Sequence, residues 1–199
     1  MTWMLTTTGA VVDLRFVAGD QISALDIAAA LSKINRFNGH TTRLYSVAEH
    51  SVHVVRVLEE ELRVTDPAAL FAALLHDAHE AYVGDLSTPL KQTLGPRWAE
   101  VEAQVEHAVH ARFGAWPARV RWADQIKAAD LLMLAVERRD LLPAGGPPWP
   151  LIEGLHLPLG LHLADYDGLT PDDWRDVWLD KFAELHTAAR FSTEEDAAT

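Results

Sequence analysis

The sequence predicts an all-α fold, a helical bundle of about six main helices, on three observations. Apolar residues recur at helical spacing from residue 23 onward. Most of these stretches open on Ser, Thr, Asp or Pro and stop at Gly or Pro. Strand-like alternation is confined to residues 1–22, where Gly9 and Gly19 punctuate a short hairpin or extended lead-in. The first helix is expected in "SALDIAAALSKINRF", with Ser23 and Asp26 as a capping box and Gly39 as its stop. "SVAEHSVHVVRVLEEEL" opens the same way, Ser46 capping the Glu49 amide while Glu49 reaches back. "DPAALFAALLHDAHEAYVG" places Asp66 before Pro67 at the first turn and reads as one helix up to Gly84. The fourth helix spans Pro96 to Gly114, and the fifth starts at Pro117 and is halted by Pro143. The sixth begins at Thr170-Pro171 with an acidic first turn that suits the helix dipole.

Between the last two helices lies "PAGGPPWPLIEGLHLPLGLHLADYDGL". This Pro/Gly-rich segment, 142–169, is too long for an idle connector, which leaves a packed loop, a lid or an oligomer contact. Residues 191–199 read as a disordered tail, so a single helical domain, 23–190, follows the lead-in.

The chain has 199 residues, 49% of them apolar, enough to bury one substantial core. With no cysteine, disulfides and thiolate metal sites are excluded, so a transition-metal site must be built from His, Asp and Glu. A net charge of −12 argues against a broad nucleic-acid surface, though not against a small anionic ligand beside a bound cation. The start "MTWMLTTTGAVVDL" has neither a basic opening nor a continuous apolar run, and no stretch approaches the ~20 apolar residues that span a bilayer. A soluble, cytoplasmic protein without membrane contact is the expectation.

Some polar residues do not suit a plain bundle. In the third helix, His76 and Glu80 are four apart on one face, with Asp77 one step round, after the apolar run "LFAALL". His50 stands among Val47, Val54, Val55 and Leu58, and Asp130 sits in "IKAADLLMLAV". Buried groups of this kind must be paired or bind a metal. Two imidazoles and two carboxylates make a donor set for one divalent ion. Each residue taken alone is equally well a core side chain hydrogen-bonded to a neighbour.

The ordered set His50, His76-Asp77 and Asp130, the last roughly fifty residues after the HD pair, resembles the HD superfamily of metal-dependent phosphohydrolases. "EHS" at 49–51 and "HDAHEAYVGDLSTPLK" at 76–91 resemble the bacterial 5′-deoxynucleotidases of that superfamily. The same residues are also similar to those of phage dATP triphosphohydrolases. The resemblance covers about residues 25–140, and it departs at "NRFNGH", where those nucleotidases carry an Arg-Trp pair, and in the Pro-rich segment. It implies an HD-domain bundle in which His50, His76, Asp77 and Asp130 hold one divalent transition metal, Co, Mn, Zn, Ni or Fe ahead of Mg. It makes Glu80 a general acid/base acting with Asp77 at the metal, and it makes Asp85 a sugar contact. Arg36 is then the phosphate clamp, Phe37 a base-stacking or a core ring, His79 a further substrate contact and Lys91 either another or a solvated residue, with His40 and Arg43 as additional phosphate candidates. A nucleotide substrate, a 5′-deoxynucleotidase reaction and a homo-oligomer are its functional implications. Release of tripolyphosphate from a dNTP, cleavage of a cyclic phosphodiester, and a catalytically silent metal-binding module are the alternatives.

The H-x-x-H pairs His50/His53 and His76/His79 do not make H-E-x-x-H, and a zincin would leave Asp77 and Asp130 without a role. His79 reads as lining the substrate pocket or meeting solvent, His107 and His110 as surface residues, and His156 and His162 as loop residues. Trp122, Trp174 and Trp178 read as core or subunit contacts.

Overall fold

The structure, a computed structural model, describes residues 2–158 and 160–197. An antiparallel hairpin opens the chain, β1 (Trp3–Leu5) on β2 (Val11–Asp13), in the register Trp3 to Asp13. Nine α-helices follow among the described residues: α1 (Ala24–Leu31), α2 (Val47–Glu60), α3 (Pro67–Leu74), α4 (Glu80–Val83), α5 (Thr88–Leu94), α6 (Pro96–Arg112), α7 (Trp116–Arg121), α8 (Ala123–Leu141) and α9 (Pro171–Ala197). The fold is the all-α bundle expected, α3 packing on α9, α2 and α7, and α2 on α8. Phe71, Leu74, Leu75, Leu58, Met133, Trp174 and Trp178 are fully buried between these helices.

Nine helices replace six because local polar groups interrupt two of the expected ones and a seventh region folds unannounced. The third helix breaks after Leu74. The amides of His76, Ala78 and Glu80 donate to carbonyls three residues back, Ala73, Leu75 and Asp77, so 75–79 is a string of tight turns that links α3 to α4. The HD pair therefore stands on a turn, not inside a helix. The fifth helix splits at Trp122, whose φ of −105° and ψ of 18° leave the helical region while its indole N–H donates to Asp66 Oδ2 at 3.2 Å. The stretch after Gly84 forms α5, with Pro89 in its first turn.

Helix caps divide into those the sequence placed correctly and those it did not. Ser46 accepts from the Glu49 amide, Asp66 from Ala68, and Thr170 and Asp173 exchange a reciprocal box at the start of α9. Ser23 caps α1, but Asp26 does not reach back; it accepts from Thr6 and Thr8 and fastens the hairpin to the bundle. Glu49 instead pairs with Arg43 at 2.6 Å. The first helix ends at Leu31 rather than near Gly39, because Asn35 bridges to Ser46 and Phe37 and Asn38 adopt positive φ. Of the segment expected as a tail, 191–199, residues up to Ala197 belong to α9; residues 198–199 lie outside the described residues.

The 142–169 segment is packed at its far end. Leu161 and Leu163 are buried, Arg139 donates to the Leu161 carbonyl at 2.6 Å, and Asp140 accepts from the Leu163 amide. No helix among the described residues is long and apolar enough to cross a membrane.

Candidate metal centre

Three elements meet at one buried point: α2 brings His50, the turn after α3 brings His76 and Asp77, and α8 brings Asp130. His50 Nε2 lies 3.3 Å from His76 Nε2 and 3.3 Å from Asp130 Oδ1. Asp77 Oδ2 is 3.1 Å from His76 Nε2 and 3.6 Å from His50 Nε2. Donor atoms sharing one first-row cation lie about 3.0–3.4 Å apart when each bond is about 2.0–2.1 Å. His50, His76 and Asp130 thus form a group able to hold a metal ion.

The imidazoles are oriented by their other nitrogens. His76 Nδ1 donates to the Ala73 carbonyl at 2.8 Å, which the tight turn brings within reach. His50 Nδ1 donates to Glu137 at 2.5 Å, and a carboxylate can only accept there. Both Nε2 atoms are thereby turned toward Asp77 and Asp130, the arrangement that metal-ligating histidines ordinarily show.

Glu137 is fully buried, and sequence reasoning missed it. It also accepts from the Tyr45 hydroxyl at 2.9 Å and from Arg36 Nη2 at 3.0 Å, so its charge is compensated on three sides. Burial pushes its carboxyl up, but Arg36 and His50 outweigh that and hold it below the usual range. One signal was available: Glu137 follows Asp130 by seven residues, two turns along the same apolar helix, and so shares its face.

The electrostatics fit a cation. Burial pulls the His50 imidazole down and Arg36 adds to this, yet Glu137 and Asp130 outweigh both and push it up to about 9. Burial likewise works against ionised Asp77 and Asp130, but the facing imidazoles hold both carboxyls low. A proton on His50 would balance this cluster, and a divalent ion held there would take that proton's place.

Two chambers open beside the cluster. The larger, about 560 Å³, is lined by Asp77, Asp130, Glu80 and Asp85, by Arg36 and Phe37, and by Trp149 and Leu151 of the Pro-rich segment. The smaller, about 290 Å³, is lined by His76, His79, Glu102, Glu106, Arg119 and Asp130. Lys91 and Lys127, the latter 2.7 Å from Asp130 and not anticipated, border both. Glu80 is 2% exposed, and its Oε2 has no hydrogen-bond partner among the described residues. Burial, then Asp77 and Asp85, drive its carboxyl well above the usual carboxylate range. Asp85 is also raised, by burial first.

The expected substrate contacts divide between these spaces. Arg36, Phe37 and Asp85 line the larger chamber, His79 the smaller, and Lys91 both. Arg36 is not a free clamp. Its guanidinium is bound to Glu137 and stands 3.5 Å from Asp77, so it neutralises buried carboxylates. Lys91 is paired with Glu102 at 2.6 Å rather than solvated. His79 is buried near Glu102, and His110 is fully buried rather than on the surface, burial pulling its imidazole down to about 4. Arg43 joins Glu49 and Asp167 instead, and His40 is exposed; neither lines a chamber.

No family model matches the chain. Two relatives do. The uncharacterized protein YfdR of Escherichia coli (strain K12) is 40% identical over 136 residues, 68% of this chain and 70% of that protein. The chain belongs to the YfdR family. The uncharacterized protein RCAP_rcc00048 of Rhodobacter capsulatus is 36% identical over 144 residues, 70% of this chain and 72% of that protein.

Proposed function

We propose that this protein is a metal-dependent phosphohydrolase of the HD type that acts on deoxynucleotides, releasing phosphate from deoxynucleoside 5′-monophosphates. The observation that carries the reading is the position of Glu80: a buried carboxyl with an unpartnered oxygen, on the wall of a chamber that also reaches Asp77 and Asp130.

His50, His76, Asp77 and Asp130 would hold the cation, with Co, Mn, Zn, Ni or Fe suited to the two imidazole nitrogens ahead of Mg. Such an ion supplies Lewis acidity, polarising a phosphoryl oxygen and lowering the pKa of water. The chain's own residues do the rest. Glu80, whose carboxyl is raised well above the usual carboxylate range by burial and then by Asp77 and Asp85, can give a proton to a departing ester oxygen and recover one from water. Asp85, on the same wall, is placed to accept from a sugar hydroxyl. Arg36 and Glu137 act as positioning residues, the first for Asp77 and the second for His50.

A second reading, release of tripolyphosphate from a deoxynucleoside triphosphate, is favoured by one observation. The smaller chamber adjoins His76, Asp77 and Asp130 and gives room for further phosphates, which Lys91, Arg119 and Lys127 would meet by leaving Glu102, Glu106 and Asp130.

The test is phosphate and tripolyphosphate release from all dNMPs and dNTPs after reconstitution with Mn, Co, Zn, Ni or Mg. Orthophosphate from dNMPs is the expected product; no release from any of them with any metal would end the hydrolase reading. In Glu80→Ala, metal content should persist while turnover falls about 10²–10⁴-fold. Equal loss of metal and turnover would make Glu80 structural.

A further inference from the structure

We propose that Trp149, from the Pro-rich segment, and Phe37 form an aromatic clamp that takes a planar nucleobase, with Arg138 as the residue that positions Trp149. The inference rests on the nucleotide reading and adds to it a specificity determinant from outside the helical motif.

Both rings line the larger chamber, with centroids 6.3 Å apart and planes inclined by 36°. A ring held between two others needs about 3.5 Å on each side, about 7 Å in all. The centroids are closer than that and the planes are tilted, so a base is admitted when Trp149 moves outward and the two rings come parallel. Gly145 and Gly146, at φ of 96° and 78°, lie just before it in the chain.

Each ring is held where it is by a specific device. Arg138 Nη2 donates to the carbonyls of Gly145 at 3.2 Å and Pro147 at 3.0 Å, and its guanidinium lies 4.5 Å from the Trp149 ring centre. A guanidinium covers only one face of an indole, so a second face is left for stacking. Phe37 has φ of 54°, a backbone conformation that an aromatic residue rarely adopts and that has to be imposed by its surroundings. Neighbouring Arg36 is tied to Glu137 and sits 5.5 Å from the Phe37 ring centre.

The spacing along α8 matches a nucleotide's layout. Asp130 faces the metal cluster, Leu134 lines the chamber one turn on, and Arg138 holds Trp149 two turns on. At 1.5 Å per residue this is about 12 Å, enough to run from a phosphate past a sugar to a base. Leu131 and Leu134 make that wall apolar, whereas Asp85 and Glu80 line the part suited to the sugar and the ester oxygen.

The experiment compares wild type, Trp149→Ala and Trp149→Phe, each checked for unchanged metal content and unfolding temperature. Calorimetry would measure binding of 2′-deoxyadenosine, 2′-deoxycytidine and base-less 2-deoxyribose 5-phosphate. Trp149→Ala should weaken nucleoside binding about tenfold, leave the sugar phosphate unchanged, and be rescued by Trp149→Phe. Equal weakening of both ligand types, no change in either, or no nucleoside binding by wild type would overturn the clamp. Nucleoside binding of the expected pattern without any turnover would leave the clamp standing and remove the hydrolase. Turnover of deoxyribose 5-phosphate as fast as of nucleotides would do the reverse.

Discussion

Two seams of this bundle are buried to a similar degree and built on opposite principles. Where α3 meets α9, Phe71 packs edge-on to Phe182 with centroids 5.3 Å apart, Trp178 stacks on Phe182 at 5.5 Å, and Trp178 is fully buried. Where α2 meets α8, His50 of α2 meets Asp130 and Glu137 of α8, and Tyr45 and Arg36, from the segment before α2, close on Glu137; all but Tyr45 are acidic or basic groups. The first seam gains from removing apolar area from water. The second removes charge from water and offsets the cost only through mutual pairing. The second seam is also where His50, His76 and Asp130 form the group able to hold a metal ion.

Substitutions in the two seams should fail differently. Trp178→Ala removes packing alone, since its indole N–H has no hydrogen-bond partner among the described residues. It should lower stability by about 3–5 kcal/mol, read by denaturant unfolding. Metal affinity of the folded protein should stay unchanged; a large fall would mean the seams are not independent.

Glu137→Gln strikes the other seam. It removes the nearer of the two carboxylates that Arg36 meets, leaving Asp77 at 3.5 Å, and weakens the hold on His50 Nδ1. Metal affinity, measured by competition with a chelator well below the unfolding transition, should drop about 10–100-fold. Unaltered affinity would show that the His50 ring is fixed by packing alone.

The smallest effect concerns Glu80 in chelated protein. Its folded pKa is raised by burial and by Asp77 and Asp85, against Arg36 and Lys91. A raised carboxyl takes up a proton on folding, so its contribution to stability is greatest below its unfolded pKa of about 4.3 and declines as pH rises toward the folded value. Glu80→Gln removes that decline. The variant should match wild type near pH 4 and gain on it progressively toward pH 8, by thermal unfolding in a chelator. A constant offset across that range would place Glu80 in a neutralised or exposed setting.

Particular residues show how far sequence reasoning reached. His50, His76 and Asp130 were legible because a His or Asp inside an apolar helical stretch is costly unless matched, and the three do converge. Asp66, Ser46 and Thr170 were legible as caps because a cap bonds within three residues of itself. Asp26 and Glu49 carried the same local signal and answered to distant partners, Thr6 and Thr8 in the hairpin and Arg43 before α2. Arg36 was read as a ligand clamp because its partner, Glu137, lies 101 residues away. The break at His76 was hidden because every residue from Ala73 to Val83 tolerates a helix; the turn there shows itself only in three-residue backbone bonds and in the Ala73 carbonyl reaching the His76 ring.

By itself the sequence determined the helical class, most helix starts, and the donor types available to a cation, because periodicity and capping act within one or two turns. Only the tertiary structure decided which carboxylate orients His50, that two chambers flank the cluster, and that Trp149 reaches one of them opposite Phe37. Those outcomes depend on contacts such as His50 to Glu137, 87 residues apart, whose geometry is set by how whole helices pack and not by any local spacing.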